Sequence, residues 1–479
     1  MIFWTFRYVS SDLWYDEVYT LEHFTLVDFS TTVFYYPAPN NHIFYNLINQ
    51  LLSRLFGLRD ILTAESHSFI FRNFQFLISL VTAYFLVHIV KKYVSIKNSL
   101  LVLVILFTTI PFMNFSLQLR GYGLSTLLVI MLVYFSLYFF EKPKNITLVI
   151  LGMLSCLLMY TIPSNLYVFL GVFTAVGMFY VFSLWNKNKQ NRNSSLKVLI
   201  ALSLGLGIAS ILYLPIWEDL IHNKFSDRNA TSTFQSFGIF LTSIPQFFSK
   251  RYFLLLVILP GIYLLFKRRS LREKVLYLGL LVIFIVPFVV SFIHQKSPYS
   301  RVFVSLAPVF VLLISIPGII FLDVLSQKTR NLFQWLIPFY CIGIFIYEVH
   351  QNDLVISKNL CENNSISQDL YENYFLAEFF QQDKTMKKLS SLHKDAPIVM
   401  YHQRDEPTTE LYLKKYHLTA QKIELIDDLK TILNQYNEVF LITSHKIMVL
   451  SELDGVEGID VATMTPGCSF TSILKIKRS

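Results

Sequence analysis

Charge is scarce in this chain. Only 15% of its 479 residues are Asp, Glu, Lys or Arg while 54% are hydrophobic, where an ordinary soluble domain carries about 25% charged residues. That balance excludes a purely water-solvated protein of this length and makes lipid the solvent for much of it. Cysteine is scarce too: four residues exclude a disulfide-built scaffold. Cys156 and Cys341 sit inside apolar segments and read as small buried thiols, whereas Cys361 and Cys468 fall in a polar tail and are a candidate pair if that tail is extracytoplasmic. No Gly-rich phosphate loop accompanies the polar tail after about 348, which argues against a nucleotide site there. A net charge of +9 raises the question of nucleic acid, but the basic residues lie scattered between apolar runs rather than on one folded face, so no nucleic-acid partner is expected.

What is abundant is apolar and aromatic. Phe alone contributes 44 residues, an excess that a bilayer accommodates more readily than a water-facing surface. Runs near 73–90, 98–115, 122–140, 146–162, 165–185, 198–217, 251–266, 275–293, 302–322 and 332–347 are read as spanning helices, the length needed being set by about 30 Å of hydrocarbon. Prolines 111, 163, 215, 260, 287, 308, 317 and 338 mark kinks or ends within them.

The short loops set the orientation. Alternate loops hold 16 basic residues, among them Lys91, Lys92, Lys97, Lys142, Lys144 and Arg272, against seven in the intervening loops: Arg120, Lys224, Arg228, Lys250, Arg251, Lys296 and Arg301. The richer set belongs in the cytoplasm. Residues 1–72 and the tail after about 348 then lie outside. Met1–Phe6 is apolar but too short to span, and is read as the end of a first helix not otherwise visible. Within 42–58, Ile43, Phe44, Leu47, Ile48, Leu51, Leu52, Leu55 and Phe56 form one helical stripe, which suits an interfacial helix or a helix packed on the bundle.

The expected fold class is an α-helical polytopic membrane protein with a C-terminal extracytoplasmic α/β domain. Its domains are 1–347, with an outer loop at 7–72 and about ten spans at 73–347, and 348–479. In the tail, a helix at 366–390, strands at 397–402, 422–426 and 438–443, and helices at 410–416 and 427–436 alternate as a small α/β sheet domain would.

The chemistry-bearing residues gather on the outer side. SSDLWYDEVYTLEHF places Asp12, Asp16, Glu17 and Glu22 at the membrane edge, where desolvation and mutual repulsion suit a base or a cation site; the plain alternative is a solvated loop. Asp16 and Glu17 are therefore candidate divalent-cation ligands, although two adjacent carboxylates without a His or a further carboxylate make a poor closed site. His42 follows Asn40 and Asn41 at the start of the amphipathic helix. Arg72, Arg120 and Arg301 stand where outer loops meet helices, positions equally suited to snorkelling and to forked donation to a phosphate.

Taken in order, LWYDE, PAPNNHIFYNLI, RNF, LRGYGL and PYSR resemble the glycosyltransferase-C superfamily, and more narrowly the bacterial relatives of protein O-mannosyltransferases and lipid A aminoarabinose transferases. The likeness runs over about residues 10 to 320. It implies inverting transfer of a sugar from a polyprenyl-phosphate donor to an envelope glycan, lipid or protein acceptor, by a multi-pass plasma-membrane enzyme working on the extracytoplasmic side. By position it makes Asp16 the general base, Glu17 a holder of the phosphate region or a cation, and Arg301, Arg120 and Arg72 phosphate ligands, with His42, Asn41, Tyr122 and Tyr15 as further substrate contacts. The stretch 218–250 matches nothing in that pattern. Two other classes compete: a transporter or lipid flippase, which would place ionisable groups at mid-membrane, and a lipid-diphosphate-dependent polysaccharide ligase or polymerase, in which the Asp16-Glu17 pair has no clear role.

Overall fold

The structure is a computed structural model and describes residues 8–9, 11–37, 39–95, 98–222, 238, 246–294, 300–363, 379, 381–392, 396–403, 406–454, 456–464 and 469–479. The stub at 1–6, most of 218–250, Cys468 and the first part of the helix expected at 366–390 lie outside the described residues.

Among the described residues, seven helices are long and apolar enough to cross a membrane: Ser68–Tyr93, Tyr122–Glu141, Pro163–Trp185, Lys189–Ile221, Leu271–Ile293, Arg301–Val324 and Gln327–Glu362. They coincide with seven of the apolar runs, and the chain is an integral multi-pass membrane protein. The other three runs fold differently. Asn145–Thr161 and Leu255–Arg268 are helices of 17 and 14 residues, about 26 and 21 Å long at 1.5 Å per residue. The run at 98–115 divides into Leu101–Phe107 and Ile110–Ser116. Thr109 between them is extended, and Pro111 opens the second piece, where its missing N–H costs least. The hydroxyls of Thr108 and Thr109 turn back onto the carbonyls of Val104 and Ile105, at 2.6 and 2.7 Å.

The chain folds into two compact bodies. The first comprises Met1–Leu26, Leu52–Ile70 and Val349–Ser479; the second comprises Val27–Leu51 and Phe71–Glu348.

The first body contains a five-stranded sheet of β1 (Ile398–Met400), β2 (Ala420–Lys422), β3 (Glu438–Thr443), β4 (Ile459–Thr463) and β5 (Ser472–Arg478), in the order β2-β1-β3-β5-β4. β1 runs parallel to β2 and β3, and β5 antiparallel to β3 and β4. β3 is central and buried from Val439 to Thr443, packing Val439 and Leu441 with Val399, Leu429, Leu433, Leu474 and Ile476. The expected alternation is present, with β2 two residues early because Leu425 already caps the helix Ile426–Gln435. The antiparallel half, β4 and β5, extends the sheet beyond that alternation. Cys361 is disulfide-bonded, while Cys156 and Cys341 are free and buried.

In the second body the segment Arg301–Val324 is central: 94% of its apolar window is buried, against 28–61% for the other six long helices, as expected of a helix that is hydrophobic all round. Neighbouring helices approach closely where side chains are small. A Cβ on Gly205 would lie 2.2 Å from the carbonyl oxygen of Gly152 on the facing helix, and the Ser155 hydroxyl donates to Leu202 O at 3.0 Å along the same seam. Asp323 accepts from Arg269 and Asn98 at 3.0 Å each, and Glu141 pairs with Lys92 and Arg272, so several loop cations counted for orientation are tied to the helix ends.

The start of the helix Ile43–Leu55 packs on the bundle, Ile43 lying in a buried cluster with Tyr160, Tyr213 and Ile216, and Phe44 and Leu47 against it. Tyr45, Asn46, Asn49, Gln50 and Ser53 are buried, while Leu51, Leu55 and the following Phe56 are 58–69% exposed. The exposed apolar positions toward its end suit an interface, while its start is packed on the bundle.

Arg251 fastens the break at Thr108–Thr109 to the segment before Leu255. Its Nη1 donates to Ile105 O and Thr108 Oγ1 at 2.9 and 2.6 Å, Nη2 to Thr109 Oγ1 and Phe247 O at 2.9 and 3.0 Å, and Nε to Phe248 O at 2.9 Å. Replacing it by Leu strips these acceptors of their donor, with an expected cost of about 2–4 kcal/mol. Thermal unfolding in detergent reads the loss, and an unchanged midpoint would show that the break does not depend on Arg251.

Candidate functional site

The acidic segment belongs to the first body. Leu13 and Trp14 are buried, and the chain enters the short helix Tyr15–Thr20 with Asp16 and Glu17 in its first turn, where carboxylates suit the positive end of the peptide dipoles. Asp16 is 6% exposed and Glu17 1%, so the solvated-loop alternative is excluded. The Glu17 carboxylate reaches back to accept from Trp14 N at 3.4 Å. Tyr15 stacks on Tyr19 with centroids 6.1 Å apart.

What holds this segment is the C-terminal domain, which packs its helix Glu406–Lys415 against Tyr15–Thr20. Leu13 N donates to the Tyr412 hydroxyl at 3.3 Å and Asp383 N to the Asp12 carboxylate at 3.0 Å. Lys415 bridges Glu65 and Asp383 at 3.1 and 2.7 Å, and Tyr416 donates to Asp383 at 3.0 Å. Burial, with Asp383 and Glu65 nearby, pushes the Asp12 carboxyl above its ordinary range, and the Asp383 N–H and Lys415 offset this only in part. Glu22 is also pushed up, by burial and then by Glu410. Burial alone would lower Lys415, but its hydrogen bonds to Asp383 and Glu65 win and raise it. Sequence reasoning missed Glu65, Asp383 and Lys415 because Glu65 and Lys415 are 350 positions apart along the chain and no local pattern links them.

The basic residues belong to the second body. His42 is 1% exposed and Arg120 1%, while Arg72 is wholly buried and Arg301 is half-buried. Burial excludes snorkelling for Arg72 and Arg120. The Arg120 guanidinium donates to Asn40 Oδ1 at 3.2 Å, lies 5.5 Å over the Tyr122 ring, and comes within 3.5 Å of His42 Nε2. Its carbonyl is held by Gln75 Nε2 at 2.5 Å. Gly121 N donates to His42 Nδ1 at 2.8 Å, and Tyr122 meets the His42 ring edge-on at 5.1 Å. Tyr122 also clusters with Phe115, Ile162 and Val304, which brings the segment carrying Arg301 to the start of the Tyr122–Glu141 helix. The His42 ring is held well below its usual value by burial, then by Arg120 and Arg301.

Asn41 has a scaffolding role. Its amide donates to Thr32 O and Tyr35 O at 2.9 and 3.0 Å, and its Oδ1 accepts from Asn46 at 3.0 Å. The arrangement that results is a buried, electropositive cluster of side chains. Arg120 and His42 face each other beside the first residues of two helices, Ile43–Leu55 and Tyr122–Glu141, whose positive dipole ends suit an anion.

A resident divalent cation is not supported by the residues themselves. Asp16 and Glu17 are successive on a helix and so diverge, Glu17 is engaged with Trp14 N, and no group of three or more His, Cys, Asp or Glu able to hold a metal occurs among the described residues.

Asp12 yields a signed prediction. A carboxyl raised in the folded state makes folding stability fall as pH rises from the unfolded value, about 3.9, through the native one. Asp12→Asn removes that penalty, so the variant's thermal midpoint relative to wild type is expected to be higher at pH 7.5 than at pH 3.5; the opposite order would show that the charged form is the one favoured. Lys415→Met leaves carboxylates facing one another and is expected to cost about 1–2 kcal/mol, between the values for exposed and buried pairs.

No family model matches the chain, and no curated protein matches it. Solved structures do. ArnT from Cupriavidus metallidurans in the apo state aligns over 99% of this chain and 96% of its own, at 11% identity and a TM-score of 0.57. The same protein bound to undecaprenyl phosphate aligns over the same shares at 11% identity and 0.54. At this identity the likeness is one of fold, and it extends along nearly the whole chain.

Proposed function

We propose that this protein transfers a sugar from a polyprenyl-phosphate carrier to an acceptor on the extracytoplasmic face of the plasma membrane, with inversion at the anomeric carbon. The observation that carries the reading is the cluster in the second body, where Arg120 and His42 lie together beside two helix N-termini, a setting suited to a phosphate. The order of the motifs supports it, as does the shared fold with a protein solved with undecaprenyl phosphate bound.

In this mechanism Asp16 accepts the proton of the acceptor nucleophile as that atom bonds to the anomeric carbon. The bond from that carbon to the phosphate oxygen breaks, and its electron pair leaves on the polyprenyl phosphate. Arg120 and Arg301 stabilise the charge that develops there, with Arg72 adding to the field, a preorganised electrostatic effect. Glu17 holds the turn that carries Asp16, through Trp14 N. Tyr15 and Tyr122 are candidate contacts to the sugar or acceptor.

Transfer of labelled sugar from a polyprenyl-phosphate donor tests the reading. Asp16→Asn is expected to lower the rate by roughly 10²–10⁴-fold, the range for a positioned general base, and full activity in that variant would remove Asp16 from the role. Arg120→Gln is expected to lose transfer through the leaving phosphate. Transfer from a diphosphate donor alone would favour the ligase or polymerase class instead. Orientation has its own measurement: a cysteine at Asn188 is expected to be shielded from impermeant maleimide in intact cells, and one at Ser391 to be labelled; the reverse pattern would invert the topology.

A further inference from the structure

A backbone N–H can only donate. Because Gly121 N–H points at His42 Nδ1 from 2.8 Å in a buried setting, Nδ1 must offer its lone pair, and a neutral imidazole then carries its proton on Nε2. That nitrogen lies 3.5 Å from Arg120 Nη2, and an arginine nitrogen is likewise only a donor. Two donors at this separation make no hydrogen bond to each other; one acceptor placed between them can take a bond from each.

Resting on the reading above, we propose that His42 is an Nε2–H donor which, together with Arg120, grips one anionic oxygen of the donor's lipid phosphate, and that Gly121 sets the tautomer that makes this so. His42 is then a phosphate-contacting residue and Gly121 a positioning residue.

Three further observations bear on it. The ring resists protonation because it is buried and faces the cations Arg120 and Arg301, with Tyr122 against its edge; it adds a donor without adding a charge that would have to be desolvated. His42 and Gly121 sit at the starts of the helices Ile43–Leu55 and Tyr122–Glu141, 13 and 20 residues long, so both positive dipole ends favour an anion there. Gly121 also has no room for a side chain: an added Cβ would lie 3.1 Å from His42 Cβ and Nδ1 and 2.9 Å from Thr161 Cγ2. The glycine lets the ring reach the backbone N–H.

The test is binding of undecaprenyl phosphate to the purified full-length protein in detergent, with inorganic phosphate as a second probe. His42→Phe keeps the ring's bulk and loses both nitrogens, and His42→Asn can accept from Gly121 N–H but does not reach the anion. Each is expected to weaken lipid-phosphate binding about 10–100-fold, the loss for one hydrogen bond to a charged group. His42→Gln, whose amide reaches further, is expected to retain most of the affinity. Gly121→Ala, which leaves every proposed phosphate ligand in place, is expected to behave like His42→Phe. Competition by inorganic phosphate alone, with no preference for the lipid, would reassign the cluster to free phosphate.

Nitrogen NMR of labelled histidine reads the tautomer directly, whatever a variant does to folding: an unprotonated Nδ1 and protonated Nε2 at pH 6.5 are expected, and a protonated Nδ1 overturns the proposal. If wild type binds and all four variants bind equally well, His42 has no such role and the transferase reading stands. If wild type itself does not bind undecaprenyl phosphate, that reading fails and this inference with it.

Discussion

Burying a guanidinium among helices that face hydrocarbon is costly unless its donors find acceptors, and three arginines of the second body, Arg72, Arg120 and Arg251, are buried almost completely. Much of the local architecture is arranged around that constraint. Continuous helices offer few spare acceptors because their own hydrogen bonds consume them, and Arg120 and Arg251 lie where helices end or break. Arg251 fills the break at Thr108–Thr109 and directs all five N–H groups to protein acceptors. Arg120 lies between Ile110–Ser116 and Tyr122–Glu141, with Asn40 as one acceptor and the Tyr122 ring beneath it. The first arginine is a structural staple; the second faces His42, and it is there that the phosphate is proposed to bind.

The same constraint governs the elements around the cluster. The helix Ile43–Leu55 turns Asn46, Asn49 and Gln50 inward, and Gln50 reaches Val27 O at 2.6 Å, so its inner face joins a polar network while Leu51, Leu55 and Phe56 are left exposed. In the first body, the carboxylates of Asp12, Glu65 and Asp383 are held together by Lys415 and by backbone donors. The segment that carries Asp16 and Glu17 is thereby fixed to the C-terminal domain, and support of this acidic turn is a concrete role for that domain.

Composition and hydropathy were enough to read a multi-pass membrane protein, seven of its long helices, and an α/β tail with three of its five strands. These depend on local pattern: the solvent preference of a run of about 20 residues, or the alternation of a strand, is written in consecutive positions. The reading failed where length or pairing decided. The run at 98–115 looks continuous in hydropathy, yet two threonines and Pro111 break it, and the break is stabilised by Arg251, 146 positions away from Ile105. Strands β4 and β5 carry little signal of their own because β4 is largely exposed and pairs only at the sheet edge.

The site shows the same division. The residue types and their order along the chain, an Asp-Glu pair, Asn-Asn-His, and arginines at helix starts, already named a phosphate-handling membrane enzyme as a candidate. Nothing in that order says that Glu17 turns back on Trp14, that Asn41 is engaged by the carbonyls of Thr32 and Tyr35, or that Gly121 N–H meets Nδ1 of His42. Those outcomes needed tertiary structure, because a hydrogen bond depends on direction and on distances of about 3 Å, and residues 79 positions apart acquire such geometry only when the chain is folded.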